Sequence, residues 1–92
     1  MSVTVNVSRY FFRGWTNEWV VAEVNGNTVG QCLEHLVNQF PAIKKEIFDE
    51  EGKVAVEARI FVNGENAFPD ELVKPVMDGD VIDIVPMAIS GG

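Results

Sequence analysis

Val29, Cys32, Leu33, Leu36, Val37 and Phe40 fall at offsets 0, 3, 4, 7, 8 and 11 along the chain, the spacing of a continuous apolar stripe on one side of an α-helix. Gln31, Glu34, Asn38 and Gln39 then face water. The start of the helix is legible, because Thr28 precedes Gln31 by the three residues of a capping box, in which both side chains satisfy backbone amides freed at the first turn. Its end is legible too, since Pro41 drives Phe40 out of the helical region. A lone helix with one apolar side needs another layer to cover it, and the flanking segments read as strands, so the chain is confined to an α+β arrangement.

The strands are of unequal clarity. Val3-Thr4-Val5-Asn6-Val7-Ser8 alternates strictly, with three valines on one side. Residues 18–24 form a valine-rich second strand closed by Asn25-Gly26-Asn27, and 57–62 a third that runs into Asn63-Gly64, a pair that accepts the positive φ angles of a tight hairpin. A short fourth strand is expected over 65–68, and a last one over 81–85, stopped by Pro86. Between them, Arg9-Tyr10-Phe11-Phe12-Arg13-Gly14-Trp15 reads as a long hairpin loop whose aromatics cover the core edge, with Trp15 or Phe12 left for a partner. Residues 43–48 make a short helical turn anchored by Ile43, Ile47 and Phe48, and Asp49-Glu50-Glu51-Gly52 is a solvated acidic turn. Residues 69–76 hold a helical turn that points Leu72 and Val76 inward, and Asp78-Gly79-Asp80 is a tight turn. The order β-β-α-β-β-β gives an antiparallel or mixed sheet of four to five strands with one face on the helix. No linker or repeat interrupts it, so residues 1–92 read as one domain with a tail at 88–92.

The second sheet face has to meet solvent or a partner. With Ile82 and Ile84 inward and Asp83 outward, Val81 and Val85 share the outer face, and Phe61 joins them if Ile60 and Val62 pack on the helix. A patch of Phe61, Val81, Val85 and Met87 then forms a docking surface beside the tail Ala88-Ile89-Ser90-Gly91-Gly92. Two terminal glycines, lacking Cβ, can thread a narrow channel and present a carboxylate to another protein.

Charge and residue inventory exclude several function classes. Fourteen acidic against seven basic side chains leave a net charge of −7, which repels phosphate backbones and anionic lipid and favours partners with basic docking surfaces. Nucleic acid is therefore not an expected partner, despite the aromatics and arginines of residues 9–15. Cys32 is the only cysteine, so no internal disulfide forms, and its place on the helical stripe makes it a small buried hydrophobe. His35 reads as a surface residue, and one histidine with one cysteine is too few ligands for zinc. No Ser-His-Asp set or catalytic carboxylate pair stands out, so no catalysis by the chain alone is expected. Without an apolar run of ~18 residues or a basic-then-apolar leader, no membrane contact and a cytoplasmic location are expected.

The helix ending Phe40-Pro41, the hairpin Phe61-Val62-Asn63-Gly64-Glu65, the segment Leu72 to Val76, the run Asp78-Gly79-Asp80-Val81-Ile82, and Pro86 before a terminal Ser90-Gly91-Gly92 together resemble the MoaD/ThiS family of ubiquitin-like sulfur carriers. The resemblance spans nearly the whole chain. It implies a β-grasp fold and a function in which an adenylyltransferase-type activating enzyme adenylates Gly92 and a sulfur source converts it to a thiocarboxylate. Gly92 would bear the sulfur, Gly91 and Ser90 would be slim enough to give access, and the outer sheet face with Met87, Ala88 and Ile89 would choose the partner. ATP and magnesium would bind the activating enzyme, since this chain lacks a Gly-rich phosphate loop, and no cofactor or metal is expected on the chain itself. By its length the chain is most similar to the small subunit of molybdopterin synthase, whose large subunit would be the sulfur acceptor. Carriers for thiamin or cysteine biosynthesis and small archaeal protein modifiers, conjugated through the terminal glycine, share the ending. The aromatic stretch Arg9 to Trp15 departs from the usual first loop of the molybdopterin carriers.

Overall fold

The computed structural model describes residues 2–12 and 19–86. In β1 (Val3–Ser8) the strict alternation becomes a strict division, with Val3, Val5 and Val7 fully buried and Thr4 and Asn6 on the opposite side. β1 pairs antiparallel with β2 (Trp19–Val24) and parallel with β5 (Val81–Pro86). β5 pairs antiparallel with β3 (Ala58–Val62), which pairs with the two-residue β4 (Glu65–Asn66). The result is a five-stranded mixed sheet in the order β2-β1-β5-β3-β4. First and last strands are thus central neighbours, and the sheet wraps one helix in the β-grasp manner.

That helix, α1 (Val29–Gln39), buries Val29, Cys32, Leu33, Leu36 and Val37 against Ile60, Ile82, Ile84 and the valines of β1. Thr28 caps it as the spacing predicts, its hydroxyl accepting from the Gln31 amide at 3.2 Å. The glutamine reaches one residue farther than in the usual capping box and accepts from the Asn27 amide at 2.7 Å. Gly30, unfavourable inside a helix, has a tertiary reason, since a Cβ there would lie 2.8 Å from the carbonyl oxygen of Leu72. The helical turn at Glu71–Val73 packs directly on α1 at that point; Val76 is buried and Leu72 half-buried.

Several local expectations shift. Arg9–Phe12 is a turn of 3-10 helix instead of an open loop. The Ser8 hydroxyl accepts from the Tyr10 amide, Phe11 is buried, and Phe12 meets Phe40 edge-to-face with ring centroids 5.5 Å apart. These aromatics close the core between the end of β1 and the end of α1. Trp15 lies outside the described residues. β4 stops at Asn66 and does not run to Phe68, because the Asn66 side chain turns back to accept from the Phe68 amide and Pro69 follows. β5 continues one residue past expectation, to Pro86, which faces Ala58; a missing N–H is tolerated at the end of a strand. The Asn63-Gly64 hairpin has the expected positive φ at both residues, 51° and 88°.

Candidate functional site

Strand register assembles the outer sheet face. Asp83 stands between Asn6 on β1 and Phe61 on β3, while Val81 faces Thr4 and Val85 faces Arg59. Phe61, Val81 and Val85 therefore lie on one face, half-buried, around the carboxylate of Asp83. That carboxylate is committed, since the Asn6 side-chain amide donates to it at 2.9 Å across the parallel pair. On the other flank β2 adds Trp19 and Val21, 46% and 61% exposed, with Val21 in register with Asn6. A strip from Trp19 and Val21 to Phe61 is thus apolar at both ends and polar in the middle.

Sequence reasoning picked out Phe61, Val81 and Val85 and missed Asn6, Trp19, Val21 and Arg59. Trp19 and Val21 had a usable signal, because they alternate with Val20, Ala22 and Val24. Alternation also puts Asn6 and Arg59 outward, but only the β1–β5–β3 register brings them beside Asp83 and Val85. Met87, Ala88, Ile89, Ser90, Gly91 and Gly92 lie outside the described residues. The last described residue, Pro86, pairs with Ala58, next to the Val85–Arg59 pair at this end of the face.

The opposite end of the sheet is a structural lock. Asn63 accepts from the Val81 amide at 2.9 Å through its side-chain oxygen and donates to Asp80 at 3.1 Å. Asp80 also accepts from the Met77 amide at 2.8 Å. The Met77 bond and then the Asn63 bond hold the Asp80 carboxyl below its ordinary value, because both stabilise the charged form.

Other singled-out residues prove structural. His35 is half-buried, not a free surface side chain: its Nδ1 accepts from the Asn25 amide at 2.8 Å. Gln39, one turn on, donates to the Glu23 carbonyl at 3.1 Å. Both bonds fall on backbone groups of alternate residues at the end of edge strand β2, so the helix satisfies part of that edge. Cys32 is fully buried, which pushes its thiol up and leaves it a packing group. In the acidic turn, Asp49 accepts from the Glu51 and Lys53 amides, closing the turn on itself. Among the described residues no group of three or more His, Cys, Asp or Glu side chains is arranged to hold a metal ion, and no helix is long and apolar enough to cross a membrane. No buried side-chain nitrogen or oxygen among them lacks a hydrogen-bond partner.

The ThiS family model matches residues 5–92. Among solved structures, SAMP1 from Haloferax volcanii is 27% identical, with a TM-score of 0.75 and full coverage of both chains. A chain of the Amycolatopsis orientalis BexX/CysO complex is 29% identical, also at TM-score 0.75, covering 98% of this chain and 99% of that one. CysO of Mycobacterium tuberculosis is 27% identical at TM-score 0.72, covering 91% and 97%. No curated protein matches the chain.

Proposed function

The chain belongs to the ThiS family, and from that premise we propose that it is a sulfur carrier whose Gly92 is adenylated and converted to a thiocarboxylate. The observation that carries this reading is the span of the family match, which takes in all of the described sheet but the first two residues of β1 and continues to residue 92, the last glycine. A carboxylate is a poor electrophile. Attack by its oxygen on the α-phosphorus of ATP expels pyrophosphate and leaves a mixed anhydride, from which sulfide displaces AMP to give the thiocarboxylate directly. A persulfide instead gives an acyl disulfide that a thiol then cleaves, the thiol leaving as a disulfide with the donor. The activating enzyme supplies ATP and magnesium; Gly91 and Ser90 admit the tail to it; and Phe61, Val81, Val85 and Met87, with Ala88 and Ile89, supply the recognition that two glycines cannot. The chain acts as a substrate-like carrier, not an enzyme.

As acceptor we favour the large subunit of a molybdopterin synthase, with thiamin or cysteine biosynthesis as alternative destinations. The structural likeness to the BexX/CysO complex supports the view that a face of this domain docks a partner protein. The likeness to SAMP1, a small archaeal modifier protein, is as strong as that to CysO and favours a second reading, conjugation of Gly92 to lysines of other proteins.

Incubation with ATP, magnesium, an activating enzyme and a sulfur donor is expected to shift the intact mass by one sulfur for one oxygen, localised to Gly92. An unchanged mass with an enzyme known to be active would sink the carrier reading. Higher-mass conjugates in cell extracts that vanish when Gly92 is deleted would establish the second one.

A further inference from the structure

Arg59 is the single basic residue among the described residues of the outer sheet face. It stands opposite Val85, one step from the Ala58–Pro86 pair where the described part of β5 ends. Six residues follow Pro86, and an extended chain of that length reaches at most about 20 Å. An enzyme that holds the Gly92 carboxylate therefore has its reacting centre within about 20 Å of the Ala58–Pro86 pair that Arg59 adjoins.

The guanidinium is kept available. Asp83 is its diagonal neighbour across β5, within reach of a long side chain, yet the Asp83 carboxylate takes the Asn6 amide. Among the described residues the one ion pair joins Lys53 to Glu51, so Arg59 pairs with no described carboxylate, although the chain carries twice as many acids as bases. On its other side Arg59 borders a groove of about 350 Å³ whose apolar lining includes Val54, Val56, Ile60 and Phe68, with Asn66 and Glu71 as its polar side chains. Val56 and Phe68 are 80% and 68% exposed. A cation that no described carboxylate pairs thus sits between two apolar surfaces, Phe61 with Val85 on the face and Val56 with Phe68 at the groove.

We propose that Arg59 is the charge-reading residue of this domain: it binds an aspartate or glutamate carboxylate of the activating enzyme, which places apolar side chains on Phe61–Val85 and in the Val56–Phe68 groove. The inference rests on the reading that Gly92 is activated, and it commits to the activating enzyme because adenylation is the step shared by the carrier and modifier readings. A partner attracted by a charge of −7 carries basic surface overall. A carboxylate opposite Arg59 then fixes register on this face, because shifted along it the same carboxylate meets Asp83 or Glu23.

The test uses full-length protein with an activating enzyme that adenylates the wild-type chain, read by ATP–pyrophosphate exchange. Arg59→Glu is expected to raise KM for the carrier at least ~10-fold with kcat within about 2-fold, since a close charge pair becomes a repulsion before chemistry begins. Arg59→Lys keeps the charge and loses the planar fork, so a rise of roughly 3-fold is expected. Lys45→Glu makes the same change in net charge on the helical turn Lys44–Ile47, on the other side of the sheet, and leaves KM within about 2-fold if the effect is local. Arg59→Glu should also keep the wild-type urea midpoint, separating docking from folding. Equal KM for Arg59→Glu and wild type, or an equal rise in Lys45→Glu, overturns the assignment of Arg59 and leaves the carrier reading standing. Failure of every cognate enzyme to adenylate the wild-type chain overturns both.

Discussion

The two faces of the sheet are built from the same strands and differ in kind. On the helix side, Val3, Val5, Val7, Ile60, Ile82 and Ile84 are essentially inaccessible and packed against α1. On the other side, Thr4, Asn6, Phe61, Val81, Asp83 and Val85 occupy the intervening positions and are half-buried. One residue of displacement along β5 therefore moves a side chain from an environment where its volume governs stability to one where its chemistry governs recognition. The inner face tolerates little change because a void there has no neighbour to fill it. The outer face keeps its polar Asn6–Asp83 pair and its Arg59, which among the described residues neither an ion pair nor a second layer engages.

The comparison can be broken most decisively at adjacent residues. Ile84→Ala should cost about 3 kcal/mol, from lost burial plus the cavity left behind, whereas Val85→Ala should cost less than about 1 kcal/mol while weakening docking. Chemical unfolding of the two variants side by side checks this; similar losses would erase the distinction between the faces. A smaller effect is expected at the helix that covers the inner face. Thr28→Ala removes the acceptor of the Gln31 amide and should lower stability by about 1 kcal/mol without altering adenylation kinetics. A change in KM would place the helix start in the docking surface instead.

The least effect belongs to the rim, where Asp80 joins Met77 and Asn63. Its carboxyl titrates below the ordinary value in the folded protein, so the folded state is favoured above the unfolded-state value and that contribution is lost as pH falls through the lower, folded-state value. Asp80→Asn should therefore flatten the acid limb of the urea-midpoint profile below about pH 4. An acid limb identical to wild type would mean that other carboxylates carry it.

Most of the inner face was legible in the chain. Burial on one side imposes a period, two along β1 and near 3.6 along α1, and Val3-Val5-Val7 and the Val29-to-Phe40 stripe display those periods openly. The Thr28–Gln31 cap and the Asn63-Gly64 turn were legible for a related reason, because their hydrogen bonds and φ angles are satisfied within a few residues. Of the outer face, Phe61, Val81 and Val85 could be placed by alternation, but their company could not. Gly30 and His35 carry no local sign that one accommodates the Leu72 carbonyl and the other accepts from the Asn25 amide.

By itself, then, the sequence determined which elements form and which sides they bury, since propensity, periodicity and capping act over a handful of residues. The terminal Ser90-Gly91-Gly92 and the resemblance it completes were also matters of sequence alone. Tertiary structure decided that the first and last strands lie side by side and parallel, a pairing between residues some 77 positions apart, such as Asn6 and Asp83, that no local rule encodes. From that pairing follows the polar Asn6–Asp83 pair at the centre of the face, and from the β3–β5 register the placement of Arg59 opposite Val85. The physical reason is that sheet register is chosen by the packing of the whole inner face on one helix, and the outer face receives whatever side chains that choice leaves over.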